Sequence, residues 1–442
     1  MRLDIDGRNC ELESGRSILD AVKKEGLDSI MLSDRPLAAQ IGGEVFNLRF
    51  TPKKDTQIHL LRYGEDMGRR VYERTLQFLF ILAMRKEFPR ARVCVRYSLG
   101  PGLFITVDGM EEPFNEEAAL KVETEMRRLV RLKLPLERRR ISIKEALSFY
   151  EQDGQADKAK LLKWRRFSYF DVYQIDGYMD YFYGEMAPDT SYADVFRVKY
   201  VHDGAVVLLM PRNDAPDVPS DYVDLPKLHA VFHQSDEWGK LMECATVNDL
   251  NTHIQNGTIR ELVRINEALH DRGYADIADK IVQKGAKAVL VAGPSSSGKT
   301  TSAHRISTQL RLQGCHPVML SLDDYYIDRD KIERDENGEI DLENINTLDI
   351  QRFGSDLAAL IRGEKVEVPR FDFTNGKRAP EGRILQLHDD EPVIIEGIHG
   401  LNPMLLSPEV DESKIFRIYV SALTTLNLDD HNRIRTTDIR IL

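Results

Sequence analysis

Residues 293–300 read Gly-Pro-Ser-Ser-Ser-Gly-Lys-Thr and fit the pattern G-x-x-x-x-G-K-[ST]. An apolar run over 288–292 precedes this stretch and predicts a buried strand. The residues from Thr301 to about Leu312 predict a helix, which Gly314 ends. A glycine-rich turn between a strand and a helix points consecutive backbone N–H groups at phosphate oxygens, and the helix adds its positive N-terminal end. The pattern therefore predicts a loop that binds a nucleoside triphosphate and disfavours a plain surface turn.

The side chains of residues 293–300, here called the phosphate loop, have separate expected roles. We expect Lys299 to reach the β- and γ-phosphates and the Thr300 hydroxyl to ligate Mg²⁺. The implied cofactors are ATP or GTP together with Mg²⁺. The residues expected to contact the nucleotide are Gly293, Ser295, Ser296, Ser297, Gly298, Lys299, Thr300 and Thr301.

Acidic residues follow the next two predicted strands of this part of the chain. Asp323 and Asp324 come after the strand at 317–320, and Glu396 comes after the strand at 392–395. In a parallel sheet, ligands bind beyond the carboxyl ends of the strands. Carboxylates at that edge can accept the proton of an attacking hydroxyl or hold Mg²⁺. One such acid is usually a solvated loop residue, but two on successive strands favour a catalytic site.

The composition is that of a water-soluble protein of several domains. The chain has 442 residues, of which 42% are hydrophobic and 30% charged, and two to four domains are expected. It has neither an apolar run of membrane-spanning length nor a signal peptide at its start. Its four cysteines are widely separated, which predicts a cytoplasmic location without disulfides or a cysteine zinc site. The net charge of −11 argues against general coating of nucleic acid, although it allows a local basic face.

The pattern of predicted elements divides the chain into four parts and gives a multidomain α+β and α/β fold. Residues 1–60 predict a β-grasp module, and residues 61–225 predict an α+β domain. Residues 226–285 are helical throughout and predict a connector. Residues 286–442 alternate strand and helix, as a parallel sheet requires.

Four segments of the last part resemble the uridine kinase/phosphoribulokinase family in order and spacing. The family transfers a phosphoryl group from a nucleoside triphosphate to a hydroxyl of a nucleoside or a sugar phosphate. The resemblance implies that Asp323 is the general base for the accepting hydroxyl. It also implies that Thr300, Glu396 and Asp323 lie around the magnesium ion. The segments are 293–301, 321–326, 369–373 and 395–397.

The same resemblance implies a set of acceptor-binding residues. Tyr326 and Glu343 fall where uridine kinases contact the nucleoside, and Phe371 and Arg378 flank the segment that holds the base. Asn-Gly-Lys at 375–377 stands where uridine kinases have a histidine that reads the pyrimidine, and Phe371 lacks the hydroxyl of the common tyrosine. A site without those hydrogen bonds selects a pyrimidine less strongly, so the transfer chemistry is better supported than the acceptor.

The end of the sequence departs from the family pattern. After the predicted strand at 415–420, the family has an arginine-rich lid helix, whereas this sequence stops at Leu442. Lid arginines contribute strongly to phosphoryl transfer. We therefore expect a C-terminally truncated and weakly active kinase. Arg433, Arg435 and Arg440 are expected to approach the lid region without replacing it.

The N-terminal half resembles threonyl-tRNA synthetase. Residues 1–60 are similar to its TGS domain, and residues 61–212 are similar to its editing domain. The editing site depends on an H-x-x-x-H pair and a C-x-x-x-H pair, and the corresponding positions here are Arg74, Phe78, Phe182 and Met186, none of which is a metal ligand or an imidazole base. The fold is therefore expected without its editing chemistry. The segments that carry the resemblance are 88–89, 100–102, 132–140 and 144–147.

The role of this half is open between two interpretations. An RNA or nucleotide contact would use its arginines together with exposed tyrosines. The alternative is that the arginines form a solvated basic face and the tyrosines form an aromatic core. This second interpretation is favoured over RNA or nucleotide binding. The pair His229 and His233 has helical spacing but lacks further ligands, so metal binding there is disfavoured. The residues in question are Arg127, Arg128, Arg131, Arg138, Arg139, Arg140, Tyr169, Tyr173 and Tyr183.

Taken together, the sequence predicts phosphoryl transfer from ATP or GTP to a nucleoside 5′-hydroxyl, as in uridine and cytidine kinases. One alternative is a kinase of another small hydroxyl compound, such as a sugar phosphate. Another is a nucleotide-gated RNA-binding or regulatory protein, against which Asp323 argues because a switch needs no base at the acceptor. The sequence also predicts a small-molecule partner and no contact with a membrane. It leaves the oligomeric state open, and a homo-oligomer is among the states that it allows.

Overall fold

The computed structural model describes residues 1–202, 204–334, 338, 340–423 and 425–441, with the side chain of residue 441 left out. The chain forms two compact units. The N-terminal unit comprises Met1–Gln255 and Thr425–Ile434, and the C-terminal unit comprises Asn256–Thr424 and Arg435–Leu442. The sequence assigned 425–434 to the phosphate-loop part, whereas the structure groups this segment with the N-terminal unit.

A five-stranded sheet with one helix begins the N-terminal unit, in the strand order β2-β1-β5-β3-β4. Asp6 and Gly7 both have positive φ, which the tight turn between the first two strands requires. Ser17 and Asp20 form a reciprocal capping box at the start of the helix. The elements are β1 (Arg2–Ile5), β2 (Arg8–Glu11), α1 (Ile18–Lys24), β3 (Ala38–Ile41), β4 (Glu44–Phe46) and β5 (Thr56–Leu61).

The next part of this unit packs long helices on antiparallel sheets. One sheet has the order β11-β12-β7-β6, a second has the order β10-β9-β8, and β13 pairs with β14. The second helix is apolar over three turns because it is buried there in the core of the unit. The elements are α2 (Asp66–Glu87), β6 (Arg92–Leu99), β7 (Gly102–Asp108), α3 (Glu116–Leu132), β8 (Glu137–Ser142), α4 (Ile143–Gln152), α5 (Ala156–Leu162), β9 (Tyr169–Ile175), β10 (Tyr178–Asp180), β11 (Arg197–His202), β12 (Ala205–Leu209), β13 (Pro211–Arg212) and β14 (Ala215–Pro219).

Three helices follow, and the division between the two units falls among them. The longest of the three ends at Gly285, which adopts the left-handed conformation at its C-terminus. Among the described residues, no helix is both long and apolar enough to cross a membrane. The helices are α6 (Pro226–Leu241), α7 (Val247–Asn256) and α8 (Ile259–Lys284).

A four-stranded parallel sheet in the order β16-β21-β15-β22 forms the centre of the C-terminal unit. One of its two inner strands is β15 (Ala288–Ala292). All five of its residues are buried, as expected for a parallel strand covered on both faces. The elements are β15 (Ala288–Ala292), α9 (Lys299–Leu312), β16 (Val318–Ser321), α10 (Ile350–Ile361), β17 (Val366–Val368), β18 (Phe371–Asp372), β19 (Lys377–Arg378), β20 (Arg383–Leu385), β21 (Val393–Glu396), β22 (Ile415–Tyr419) and α11 (Thr436–Ile441).

Alternate residues of the central strand face two separate cores. Val289 and Val291 pack with helices α8 and α9, and Leu290 packs with helix α10 on the other face. The predicted mixture of α+β and parallel α/β architecture is confirmed. Leu442 lies outside the described residues.

Candidate active site

The phosphate loop connects β15 to α9 at the carboxyl edge of the parallel sheet. A Cβ atom on Gly293 would lie 1.9 Å from the backbone oxygen of Val420, so only glycine fits at this position. Ser296 and Gly298 adopt positive φ, of 57° and 89°. These conformations curl the loop before the first helical residue, Lys299. The first amides of α9 lack intrahelical acceptors and are therefore available to an anion.

Two side chains of the loop, Ser297 and Lys299, differ in their hydrogen bonding. The hydroxyl oxygen of Ser297 is buried and has no hydrogen-bond partner among the described residues. The Nζ of Lys299 donates to the backbone oxygen of Pro294 at 3.0 Å, within the loop itself. A buried hydroxyl without a partner is unfavourable, and a phosphate oxygen at the loop would satisfy it.

Strand register brings the predicted acids to the same edge. Ser321 of β16 lies opposite Glu396 of β21, and its hydroxyl donates to Glu396 Oε1 at 3.2 Å. The backbone N–H of Asp323 donates to the Ser321 hydroxyl at 3.3 Å. One serine therefore joins the backbone of the proposed base to the side chain of the proposed magnesium ligand.

The carboxyl of Asp323 lies near the charged groups of Glu396 and Lys299. Burial is the main cause that raises the pKa of its carboxyl, and the negative charge of Glu396 adds to the rise. The ammonium of Lys299 acts in the opposite direction, and Asp324 adds a smaller increase. Asp323, Glu396 and Lys299 thus share one site. A carboxylate with a raised pKa is better suited to accept a proton from an alcohol.

The neighbouring acid, Asp324, has a different environment. Its Oδ1 accepts a hydrogen bond from the backbone N–H of Phe371 at 3.4 Å. It therefore tethers the start of the β18–β19 hairpin to the strand end that carries the acids. This contact gives Asp324 a structural role that differs from the role expected of Asp323. The sequence motif alone does not reveal the difference.

Three aromatic rings lie next to the acids. The ring centroid of Tyr326 is 5.7 Å from that of Phe371 and 6.3 Å from that of Phe373, and the two phenylalanine centroids are 5.1 Å apart. Burial raises the pKa of Tyr326, and the charges of Asp323 and Glu343 raise it further. Phe373 is 51% exposed and was not among the predicted site residues, although it belongs to the motif at 369–373. Such a cluster can stack on a planar ring.

The predicted acceptor residue Arg378 is engaged in holding the hairpin. Its guanidinium donates to Asp349 Oδ2 at 2.9 Å and to the backbone oxygen of Tyr325 at 3.4 Å. Its backbone N–H donates to Asp328 Oδ1 at 2.9 Å. The Nε atom is buried and has no partner among the described residues, so one donor of this side chain remains available.

The arginines near the end of the chain separate into different surroundings. Arg440 of α11 donates from Nε to the backbone oxygen of Ser295 at 2.8 Å, so it does approach the phosphate loop. Arg433 instead forms an ion pair at 3.0 Å with Glu73 of the N-terminal unit. Arg433 belongs to a segment that packs within the N-terminal unit, and the expectation that it approaches the lid region stays a prediction.

The four positions that correspond to the editing site do lie together in the N-terminal unit. The rings of Phe78 and Phe182 pack with centroids 5.3 Å apart, and Met186 is fully buried. Arg74 donates from Nε to the backbone oxygen of Glu185 at 2.9 Å. Apolar packing occupies the place of metal ligands. Among the described residues, no three His, Cys, Asp or Glu side chains converge as a metal site.

Most of the arginines considered for RNA binding are paired within the chain. Arg127 and Arg128 pair with Glu123 and Glu125 of the same helix, and Arg138 and Arg140 share Asp171. Paired surface charges attract phosphate weakly, so the solvated basic face is the better description.

The aromatic and histidine candidates of this half also find structural partners. Tyr173 is buried, and its hydroxyl donates to the backbone oxygen of Gly184 at 3.1 Å. His229 contacts His202, with the two Nε2 atoms 3.1 Å apart, and its Nδ1 lies 2.7 Å from the Tyr97 hydroxyl. The hydrogen-bonding contacts of His229 are therefore with residues of two strands, while its ring centroid lies 6.4 Å from that of His233.

Comparison with known proteins assigns the two halves to different relatives. Residues 288–434 match the model of the Phosphoribulokinase / Uridine kinase family. Over the N-terminal half, a threonine–tRNA ligase of Clostridium kluyveri is 25% identical over 194 residues, which are 44% of this chain and 30% of that enzyme. A threonine–tRNA ligase of Acetivibrio thermocellus is 28% identical over 160 residues, 36% of this chain and 24% of that enzyme. The chain thus spans less than a third of the length of these curated relatives.

A solved structure described as a "Possible Uridine Kinase" from Bacillus stearothermophilus is similar to part of the chain. It is 23% identical, with a TM-score of 0.27, and the match covers 34% of this chain and 79% of that one. The two resemblances inferred from sequence, to the kinase family and to threonyl-tRNA synthetase, are confirmed by the family and relative matches.

Proposed function

We propose that this protein transfers the γ-phosphoryl group of ATP or GTP to the 5′-hydroxyl of a nucleoside of the uridine or cytidine type. The observation that carries the proposal is the grouping of Asp323, Glu396 and Lys299 at the edge of the sheet that bears the phosphate loop. The match of residues 288–434 to the kinase family supports it.

The side chains present fit a nucleoside triphosphate with Mg²⁺. The unpartnered Ser297 hydroxyl and the first amides of α9 suit phosphate oxygens. The Thr300 hydroxyl and the Glu396 carboxylate are oxygen donors of the kind that Mg²⁺ prefers. When bound, Mg²⁺ would neutralise phosphate charge.

The chain's own residues then position the reactants and move one proton. Lys299 exchanges its hydrogen bond to Pro294 for the β- and γ-phosphates. Asp323 accepts the proton of the attacking hydroxyl at its carboxylate, while the O–P bond to the acceptor forms and the bond to the nucleoside diphosphate breaks. The aromatic cluster of Tyr326, Phe371 and Phe373 orients the acceptor beside Asp323.

One observation favours a phosphorylated sugar as a second candidate acceptor. A cleft of about 720 Å³ beside the β18–β19 hairpin is lined by the guanidinium groups of Arg370 and Arg383 and by the carboxylates of Asp324 and Glu381. The two guanidinium groups suit an anionic substrate, and the two carboxylates in the same cleft weaken that preference. The RNA-binding alternative receives no comparable support, because the arginines that it needs are mostly paired.

A substrate panel with ATP labelled in the γ-phosphate tests the proposal. We expect label on uridine or cytidine and none on a sugar phosphate such as a pentose 5-phosphate. Label on the sugar phosphate alone would replace the nucleoside by the second candidate. Absence of label on every acceptor, with salt-sensitive RNA binding that changes with ATP, would contradict kinase activity altogether.

A further inference from the structure

His399 lies in the C-terminal unit, on the turn that follows strand β21 and three residues after Glu396. The backbone N–H of Gly397 donates to the backbone oxygen of Val291 in strand β15 at 3.1 Å, and the backbone oxygen of His399 accepts from the N–H of Asn402 at 2.7 Å. Backbone groups therefore hold this turn at the carboxyl edge of the parallel sheet, where Glu396 also lies. The turn closes without the imidazole of His399, whose role must be sought elsewhere.

One nitrogen of this imidazole is engaged, and the other has no partner. The ring hydrogen-bonds to the backbone of Glu343, and because this bond raises the pKa of His399, the backbone oxygen is its acceptor. Nε2 is buried and has no hydrogen-bond partner among the described residues, so Nδ1 makes the contact with Glu343. A neutral histidine that donates from Nδ1 keeps a lone pair at Nε2.

Burial favours this neutral form of the ring. It is the main cause that lowers the pKa of His399, whereas the charge and the backbone of Glu343 act in the opposite direction, together with the charge of Asp341. Near neutral pH, Nε2 is therefore a hydrogen-bond acceptor to which no described residue donates. A buried polar atom without a partner is unfavourable, and a ligand that donates a hydrogen bond to it removes that cost.

The segment that His399 contacts also borders the aromatic cluster of the candidate active site. The Tyr326 hydroxyl donates to the backbone oxygen of Leu342 at 3.3 Å, one residue before Glu343. The negative charges of Asp323 and Glu343 both act on Tyr326. Tyr326 therefore lies between the proposed base and the segment that His399 holds, and His399 belongs to the surroundings of the nucleoside.

The groups around Nε2 select the chemistry of the ligand that fits there. Glu343 is exposed and carries a second acceptor, a carboxylate near enough to act on the charge of His399. A carboxylate repels a phosphate group, which disfavours the anionic end of a sugar phosphate at this point. Two neighbouring acceptors match two neighbouring donors, and the 2′- and 3′-hydroxyls of a ribose are such a pair.

We propose that His399 binds the sugar of the nucleoside: its Nε2 accepts a hydrogen bond from one hydroxyl of the ribose diol, and the Glu343 carboxylate accepts one from the other. The inference rests on the proposed function, which it extends by making a ribonucleoside, and not a deoxyribonucleoside, the preferred substrate. His399 is not among the site residues that the family resemblance implies. Its role is separate from that of Asp323, which receives the proton of the 5′-hydroxyl.

Equilibrium binding of nucleosides to the full 442-residue chain, saturated with a non-hydrolysable ATP analogue and Mg²⁺, tests the proposal. The unaltered protein should bind uridine and cytidine more tightly than their 2′-deoxy or 3′-deoxy analogues. His399→Leu should weaken the binding of both ribonucleosides about five- to 150-fold, the usual effect of leaving a polar group without its partner. It should not change the affinity for the analogue that lacks the contacted hydroxyl. His399→Gln keeps a carbonyl oxygen as acceptor and should restore part of the loss.

His388→Leu is the matched control, because it removes an exposed histidine of the same unit and should change no affinity. Should His399→Leu fail to fold, His399→Met, which also lacks a strong acceptor, makes the same comparison.

Three results would overturn the proposal while leaving the proposed function in place. They are equal binding of ribonucleosides and deoxyribonucleosides by the unaltered protein, unchanged discrimination in the His399 variants, and a loss confined to uridine. The last would show a contact with the base, since uridine and cytidine share the ribose. An unaltered protein that binds the ATP analogue but no nucleoside would contradict the proposed function, and this inference with it.

Discussion

At the scale of single residues, Gly293 is the most sterically restricted position of the phosphate loop. A Cβ atom on Gly293 would lie 1.9 Å from the backbone oxygen of Val420, and no side chain fits there because backbone cannot give way cheaply. The loop and the neighbouring strand β22 therefore constrain each other.

Substitution of Gly293 by alanine should accordingly destabilise the C-terminal unit and abolish nucleotide binding. Gly273→Ala is a matched control for which the opposite change in stability is expected. Gly273 lies inside α8, and a Cβ atom added there would meet no atom within 4 Å. It should stabilise the helix by about 0.5–1 kcal/mol. Thermal unfolding of both variants measures the difference, and a Gly293→Ala protein as stable as the unaltered one would contradict the steric account.

Local motifs explain why some site residues could be predicted from sequence and others could not. Lys299 and Thr300 are set by an eight-residue pattern, and Asp323 and Glu396 follow strand ends, which parallel topology brings to one edge. The separate duty of Asp324 depends on a hydrogen bond to Phe371, 47 residues away in sequence, and no local pattern encodes it.

At the scale of elements, the β18–β19 hairpin joins substrate contacts to the catalytic edge. Phe371 and Arg378 pair across it in register, and Asp324 holds its first residue. Phe373, just beyond β18, presents an exposed ring beside Tyr326. The hairpin therefore carries acceptor binding on the proposed function.

Phe373→Ala should raise the KM for the nucleoside and leave the affinity for the ATP analogue unchanged. Stacking of one base on an aromatic ring is worth about 1–3 kcal/mol, which corresponds to about fivefold to 150-fold in affinity. Ile384→Ala, at an exposed residue of β20, is the control. Steady-state kinetics with varied nucleoside measure the effect, and an equal loss of nucleotide affinity would argue against a specific acceptor role.

At the scale of the whole molecule, the packing of residues 425–434 within the N-terminal unit is the feature that sequence could not predict. A buried cluster of Lys158, Asp180, Asp429 and His431 joins His431 to Asp180 across 251 residues, and such a contact leaves no periodic or spacing signal. The sequence placed residues 286–442 in one domain because strand and helix alternate there. Residues 425–434 instead meet charged partners from the N-terminal half, Lys158 and Asp180.

The same cluster gives the N-terminal unit a pH-dependent stability. Burial alone would raise the pKa of Asp180, but the charges of Lys158 and His431 outweigh it and lower that pKa below its ordinary value of 3.8. A lowered carboxyl pKa contributes stability that is full above the unfolded-state pKa and is lost as the pH falls below it.

Asp180→Asn should therefore lower the free energy of unfolding of the N-terminal unit by about 3–5 kcal/mol near pH 7, the usual effect of breaking a buried ion pair. The difference from the unaltered protein should shrink as the pH falls below about 4. Denaturant unfolding from pH 7 to pH 3 measures it. A difference that stays constant or grows with acidification would show that Asp180 is not held as a carboxylate by the cluster.

The central claim, that Asp323 serves as the base of a phosphoryl transfer at the phosphate loop, is tested most directly by Asp323→Asn. Turnover and ATP-analogue affinity are measured on the same preparation, with Asp330→Asn, at an exposed residue of the same unit, as the control. We predict that turnover falls about a hundredfold to ten-thousandfold while analogue affinity and the control stay unchanged. Retention of full turnover by Asp323→Asn would contradict the account.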